Sequence, residues 1–242
     1  MRNGTKVAVI TSIAILLAVV LLVGAVSQGW IHFNINPITD NDHSQALTDG
    51  NYTITYSWLY LGKEWTLKDN VSAVTYNDYR DRPKTYDYAS YVTKNDPLVV
   101  EIADQLKDLA GNESYNTAQF VLSFVQNVPY GTDENTTGFA NYPRYPVETL
   151  VDGVGDCKDH STLYVSLMES QAVNASMVLF LLTPRTGDVG HMAAGIYLTG
   201  HSGTYFEYDG RDYFYCETTA PGWLIGVMPQ QVRGYSVQVL SA

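Results

Sequence analysis

The sequence predicts an α+β domain, with a cysteine-bearing helix packed on an antiparallel β-sheet and one N-terminal transmembrane helix ahead of it. Three observations carry this expectation. Residues 7–26 hold no charge and are almost all Val, Ile, Leu and Ala. Helical apolar stripes occupy the middle of the chain, the last of them starting at Cys157. After it, short apolar runs alternate with turn signals, the pattern of an antiparallel meander.

The apolar run is assigned to an anchor over residues 7–27, because twenty helical residues span about 30 Å, a bilayer core. Arg2 and Lys6 precede it, which places residues 1–6 in the cytoplasm and the remainder outside. A cleaved signal peptide is the rival reading, with Ala25-Val26-Ser27 as a small-x-small cleavage site. Residues 28–50 lack periodicity and read as a linker, and residues 51–242 as the extracytoplasmic domain.

Charge bounds the partners. The formal net charge of the 242 residues is −11. So acidic a chain repels phosphate backbones, so no nucleic-acid partner is expected. The exported part carries sequons at Asn51, Asn70, Asn112, Asn135 and Asn174, which are candidates for glycosylation.

Within the domain, Tyr52, Ile54, Tyr56, Trp58 and Tyr60 alternate with Thr53, Thr55, Ser57 and Leu59, a period-two strand. Leu61-Gly62 turns it into a hairpin that returns through Trp65–Leu67. The segment 71–91 is ambiguous. Asp96-Pro97 opens a helix with Asp as N-cap and Pro in the first turn. Its stripe is Leu98, Val99, Ile102, Ala103, Leu106 and Leu109, and Gly111 ends it. A second helix covers Tyr115–Asn127, and Pro129-Tyr130-Gly131 breaks it. Residues 146–151 read as a short connection into Gly153-Val154-Gly155-Asp156-Cys157. The helix from Cys157 is capped by Asp156, supported by Asp159, and extends to about Val173. Strands follow over 176–182, 191–198, 204–208 and 212–217, the last two flanking an Asp209-Gly210 hairpin signal.

The chemistry centres on Cys157. The first turn of a helix presents unpaired N–H groups and the positive end of the macrodipole, which favours a thiolate nucleophile. A nucleophile needs a base, and the base an orienter. Chain order offers His191 at a strand start and Glu217 at a strand end. In this role set Cys157 attacks, His191 moves the proton, and Glu217 orients the imidazole. His160, one turn after Cys157, is a competing base or metal ligand. A Cys157–Cys216 disulfide is the structural alternative in an oxidising compartment. Cys216 and Glu217 alternate on a strand, so bridge and triad exclude each other.

The stretches Gln126-Asn127-Val128-Pro129-Tyr130, Tyr145-Pro146-Val147-Glu148-Thr149-Leu150, Gly155-Asp156-Cys157-Lys158-Asp159-His160-Ser161, Gly190-His191-Met192 and Glu217-Thr218-Thr219 resemble the transglutaminase-like superfamily of papain-type cysteine enzymes. The likeness covers about residues 95–230 and suggests an archaeal or bacterial membrane-anchored type. It implies a Cys157–His191–Glu217 triad with Glu where the family has Asp, and thioester chemistry on a peptide or glutamine carboxamide. A protein or peptide substrate is the implied partner. Gln126 or Asn127 is the implied side-chain donor to the oxyanion, beside the Cys157 N–H. No cofactor is expected. Calcium belongs to one similar branch, which carries an acid directly after the Cys where this chain has Lys158. The implied activity is an extracytoplasmic thiol hydrolase or acyl transferase. The alternative is an inactive cell-surface adhesion or scaffold module on the same fold.

Overall fold

A computed structural model describes residues 43–111, 114–186 and 190–241. The anchor expected over residues 7–27 lies outside the described residues, as do the sequon at Asn112 and the linker up to residue 42. Among the described residues no helix is long and apolar enough to cross a membrane.

Three strands open the domain: β1 (His43–Thr48), β2 (Asn51–Tyr60) and β3 (Lys63–Ser72), an antiparallel sheet in that order. Residues 43–50, assigned above to a linker, are therefore strand and turn. The missed signal is Asp49-Gly50, whose φ values of 50° and 78° make the doubly left-handed turn that joins hairpin strands. Residues 45–48 are exposed, so this edge strand shows no apolar alternation to read. Leu61 and Gly62 repeat the device between β2 and β3, at φ 51° and 75°.

The ambiguous segment resolves into helix α1 (Ala73–Arg80) and a 3-10 turn at Tyr88–Tyr91. Helix α2 (Pro97–Ala110) starts where Asp96 accepts from the Leu98 and Val99 amides. Its stripe is buried through Leu106, but Leu109 is exposed. Helix α3 (Ser114–Gln126) follows, then the five-residue α4 (Asp133–Thr137). Residues 146–151 are not a connection but most of helix α5 (Pro146–Asp152). Pro146 occupies its first turn, and Glu148 reaches back to accept from the Tyr145 amide at 2.9 Å.

Helix α6 (Cys157–Glu169) is the centre of the fold and ends four residues earlier than expected, at the Ser170 cap. It has no solvent-exposed face: polar and apolar residues alike are buried from Lys158 to Met168, among them Leu163, Val165, Leu167 and Met168. Each contributes about 1.5–3 kcal/mol by leaving water. Its buried hydroxyls are satisfied locally. Thr162 donates to Asp159 O at 3.1 Å and Ser166 to Thr162 O at 2.7 Å.

Strands β4 (Met177–Thr183), β5 (His191–Tyr197), β6 (Tyr205–Tyr208), β7 (Arg211–Cys216) and β8 (Ser236–Ser241) form a second antiparallel sheet, ordered β6-β7-β5-β4-β8. Helix α6 packs on β4 and β5, with α2, α3 and α5 around it. One continuous core joins this face to the first sheet through Trp58, Phe120 and Phe124. The opposite face of the second sheet buries Phe180, Ala193, Tyr213 and Tyr215 beneath Met228 and Val232. Strand β4 is thus covered on both sides, which is why its sequence is a continuous apolar run rather than an alternation.

Candidate active site

The start of α6 is fixed before any chemistry enters. Gly153 ends α5 in the left-handed region, at φ 64°. Gly155 then pairs with the segment 129–131: Gly131 N donates to Gly155 O at 2.9 Å, and Gly155 N to Pro129 O at 3.2 Å. Asp156 caps the helix by accepting from the Lys158 amide at 3.0 Å. Its own amide donates to Asp159 Oδ2 at 3.1 Å. Cys157 is left in the first helical position, partly exposed, beside the end of the second sheet.

His191 is the first residue of β5, and Glu217 directly follows β7. The two strands are neighbours, with Ala194 opposite Cys216. Extending that register one step sets Ala193 against Glu217, so His191 and Glu217 are diagonal neighbours on one face. His191 Nε2 and Glu217 Oε2 are 3.0 Å apart. Cys157 also acts on His191, and the two side chains line the same cleft.

Burial opposes a charged imidazole, but hydrogen bonds and charge from Cys157 and Glu217 overcome it and push the His191 pKa up to about 10. Burial likewise disfavours the Glu217 carboxylate, yet His191, Thr219 and Tyr215 hold its pKa below the ordinary value. The Glu217 side chain is only 4% exposed. Its Oε2 also accepts from the Tyr215 hydroxyl at 2.8 Å, and its Oε1 from the Thr219 hydroxyl at 2.7 Å and amide at 3.2 Å. The sequence assigned no role to Tyr215 or Thr219. Residues two before and two after Glu217 share its face of an extended chain, and that parity could have found both.

Cys157 and His191 open onto a cleft of about 450 Å³, whose walls include Tyr88, Tyr130, Ala140, Asn141 and Met192. Tyr130 has its pKa pushed up to about 12, by burial and then by Cys157.

Other expected residues are placed elsewhere. Cys157 and Cys216 are both free, so the disulfide alternative does not describe this fold. Cys216 is fully buried, where desolvation raises its pKa far above the usual thiol range. The Gln126 amide donates to Glu217 O at 2.8 Å and Trp223 O at 3.0 Å. The Asn127 amide donates to Ser123 O at 2.7 Å. Neither side chain reaches the cleft; Gln126 instead supports the backbone of Glu217. His160 is fully buried, and its Nδ1 lies 3.1 Å from Thr218 O. Burial drives its pKa down to about 4, which keeps it neutral. It pins the segment after Glu217 to α6. Asn51, Asn70, Asn135 and Asn174 are exposed.

The calcium that the resemblance raised can be tested against the residues present. Carboxylate oxygens of Asp133, Asp156 and Asp159 lie within 4.8 Å of one another. Lys158 Nζ, however, is 2.5 Å from Asp133 Oδ2 and also donates to Asp156 Oδ2. A divalent ion there would meet an ammonium group, so these residues do not fit one.

A comparison with curated proteins gives no match. Solved structures to which the chain is similar include LapG of Legionella pneumophila, at 19% identity and TM-score 0.41, over 69% of this chain and 85% of that one. A cysteine protease candidate from Cytophaga hutchinsonii aligns at 13% identity and TM-score 0.35, over 83% of each chain. A protease candidate from Parabacteroides distasonis aligns at 15% identity and TM-score 0.36, over 74% of this chain and 36% of that one. The family model of the transglutaminase-like superfamily matches residues 100–210. That match runs from within α2 to just past β6 and takes in Cys157 and His191, so this stretch of the chain is similar to the transglutaminase-like superfamily.

Proposed function

We propose that the domain is an extracytoplasmic thiol hydrolase that cleaves a peptide or amide bond through Cys157, His191 and Glu217. The observation that carries this reading is the His191–Glu217 pair, 3.0 Å apart, with His191 and Cys157 lining the same open cleft.

In this reading the thiolate attacks the substrate carbonyl carbon, and a carbon–sulfur bond forms. The tetrahedral oxyanion takes a hydrogen bond from the Cys157 N–H, one of the amides that a helix leaves without an internal partner. Tyr130, on the cleft wall and under the electrostatic influence of Cys157, is assigned as the second donor in place of Gln126 and Asn127. Collapse breaks the carbon–nitrogen bond, and the imidazolium of His191 gives its proton to the leaving amine. Neutral His191 then takes a proton from water, whose oxygen attacks the thioester. Carboxylic acid leaves, and the thiolate–imidazolium pair is restored. Glu217 keeps the imidazole oriented throughout.

Placement outside the membrane rests on the uncharged run 7–26 with Arg2 and Lys6 before it. Hydrolysis is preferred to cross-linking because none of the described residues of the cleft marks an amine-acceptor subsite.

The test is labelling with iodoacetamide followed by peptide hydrolysis. Native protein labels at Cys157 and cleaves a mixed peptide substrate. Cys157→Ala loses both, and His191→Ala loses cleavage and slows labelling at least about tenfold. Equal labelling of native and His191→Ala protein, with no cleavage by either, would leave a binding or scaffold module on this fold.

A further inference from the structure

We infer that Lys158 is a built-in cation, its ammonium filling the Asp133–Asp156–Asp159 carboxylate cradle beside Cys157, and that removing it turns the cradle into a divalent-cation site.

The cradle has the dimensions of a cation site. Hard cations take carboxylate oxygens at about 2.3–2.6 Å, so opposed ligands stand about 5 Å apart. The three acids meet that spacing at 4.8 Å or less. Three carboxylates so close repel one another unless positive charge lies between them. Two side chains of this protein supply it. Arg144 covers one flank, with NH1 3.4 Å from Asp133 Oδ1 and 3.2 Å from Asp159 Oδ2. Lys158 covers the other, bonded to Asp133 Oδ2 and Asp156 Oδ2, with its side chain 8% exposed. The acids outweigh burial and raise the Lys158 pKa, so the ammonium stays charged.

This position couples the cradle to the site. Asp156 is the N-cap of the helix that carries Cys157. Asp133 Oδ2 also accepts from the Tyr142 amide at 2.6 Å, which fixes the 138–145 loop. Ala140 and Asn141 of that loop wall the cleft. Lys158 therefore joins the helix start that holds the thiol to the loop that faces it. A metal ion could serve as the same joint, and here a side chain does so without any dependence on free ion. Lys158 is a positioning residue, since it acts through Asp133 and Asp156.

The role in thiol reactivity rests on the hydrolase reading above, whereas the cradle does not. Two variants test it: Lys158→Ala, which opens the space, and Lys158→Gln, which keeps bulk and adds an amide oxygen. Each is purified with and without about 10 mM CaCl2, above the ~0.1–1 mM range of open extracellular calcium sites. Melting temperature, terbium luminescence and the rate of Cys157 alkylation are read. The expected result is that both variants melt below native protein in chelator. Calcium then raises their melting by roughly 3–6 °C and speeds alkylation several-fold, while native protein stays unchanged. Adding Asp133→Asn abolishes the calcium response. A calcium response in native protein equal to that of the variants, or none in either variant, overturns the inference. If Cys157 proves catalytically inert, the melting and terbium responses still decide the cradle.

Discussion

His191 Nε2 and Glu217 Oε2 stand 3.0 Å apart, and that oxygen also receives the Tyr215 hydroxyl at 2.8 Å. One carboxylate oxygen thus fixes an imidazole and is itself fixed from the strand that leads into it. Because Glu217 is nearly fully buried, its charge acts on His191 with little solvent screening.

The first prediction concerns that charge. Glu217→Gln keeps the shape of the side chain and removes the anion. The His191 titration, followed by NMR, should move from about pH 10 to lower pH by at least one pH unit. Iodoacetamide labelling of Cys157 near neutral pH should slow, because a less firmly oriented imidazole is a poorer proton partner for the thiol. A His191 titration that stays in place would mean that Cys157 alone sets its basicity.

The same pair fixes a pH dependence of stability. The folded value of His191, about 10, lies above the ordinary 6.5. The folded state therefore binds this proton more tightly than the unfolded chain does. Its stabilising share is whole below pH 6.5 and is lost as pH rises through about 10. Glu217 is displaced downward, so its share is present above its ordinary 4.5 and is lost as pH falls through its folded value. The melting-temperature gap between native protein and Glu217→Gln should be widest between pH 4.5 and 6.5 and should close toward pH 10. Thermal scans across this range check it; a gap of constant width would exclude the linkage.

Tyr215→Phe isolates the support for Glu217. The ring is fully buried, so only the hydroxyl is lost and packing is kept. A hydrogen bond to a charged group contributes about 1.5–3 kcal/mol, and denaturant titration should show a loss in that range. Cys157 labelling should fall less than in Glu217→Gln, because His191 and Thr219 still hold the carboxylate. A loss larger than that of Glu217→Gln would mean that Tyr215 acts through contacts other than this one.

Much of the core was legible because local signals agreed with the tertiary outcome. Asp96-Pro97 wrote the start of α2, Leu61-Gly62 the β2–β3 hairpin, and Asp156 the start of α6. The missed elements lacked a local signature. Residues 45–48 of strand β1 are exposed, so no apolar alternation marks it. Helix α5 is short, and its opening Pro146 reads equally as a connection. The candidate site divides the same way. Cys157, His191 and Glu217 were readable as residue types in a chain order that the resemblance specifies. The partners of Lys158 were not, since Asp133 is 25 residues away and meets it only through the loop after α3. Gln126 and Asn127 illustrate the converse. Their position in sequence suggested a donor near the thiol, but the end of α3 turns both amides to backbone carbonyls instead.

The last prediction tests how closely the thiol depends on the turn before it. Gly155 is not in the left-handed region, so its requirement is space rather than backbone freedom. A Cβ there would lie 2.8 Å from Asp159 Cβ and 3.2 Å from His160 Cδ2, both on fully buried residues. Neither can withdraw, because Asp159 holds the Asp156 and Arg144 amides and His160 holds Thr218. Gly155→Ala must instead push the 153–156 turn away from the helix and strain its pairing with Pro129 and Gly131. Overpacking of this kind costs about 1–3 kcal/mol. The displacement acts first on Asp156 and Cys157, so alkylation of Cys157 should slow by more than the stability loss would explain. Gly153→Ala provides the contrast: φ is 64° there, and its cost should be backbone strain at the end of α5. Chemical denaturation and alkylation rates on the two variants separate the effects. A Gly155→Ala protein with native labelling kinetics would show that the turn tolerates the methyl group without moving the thiol.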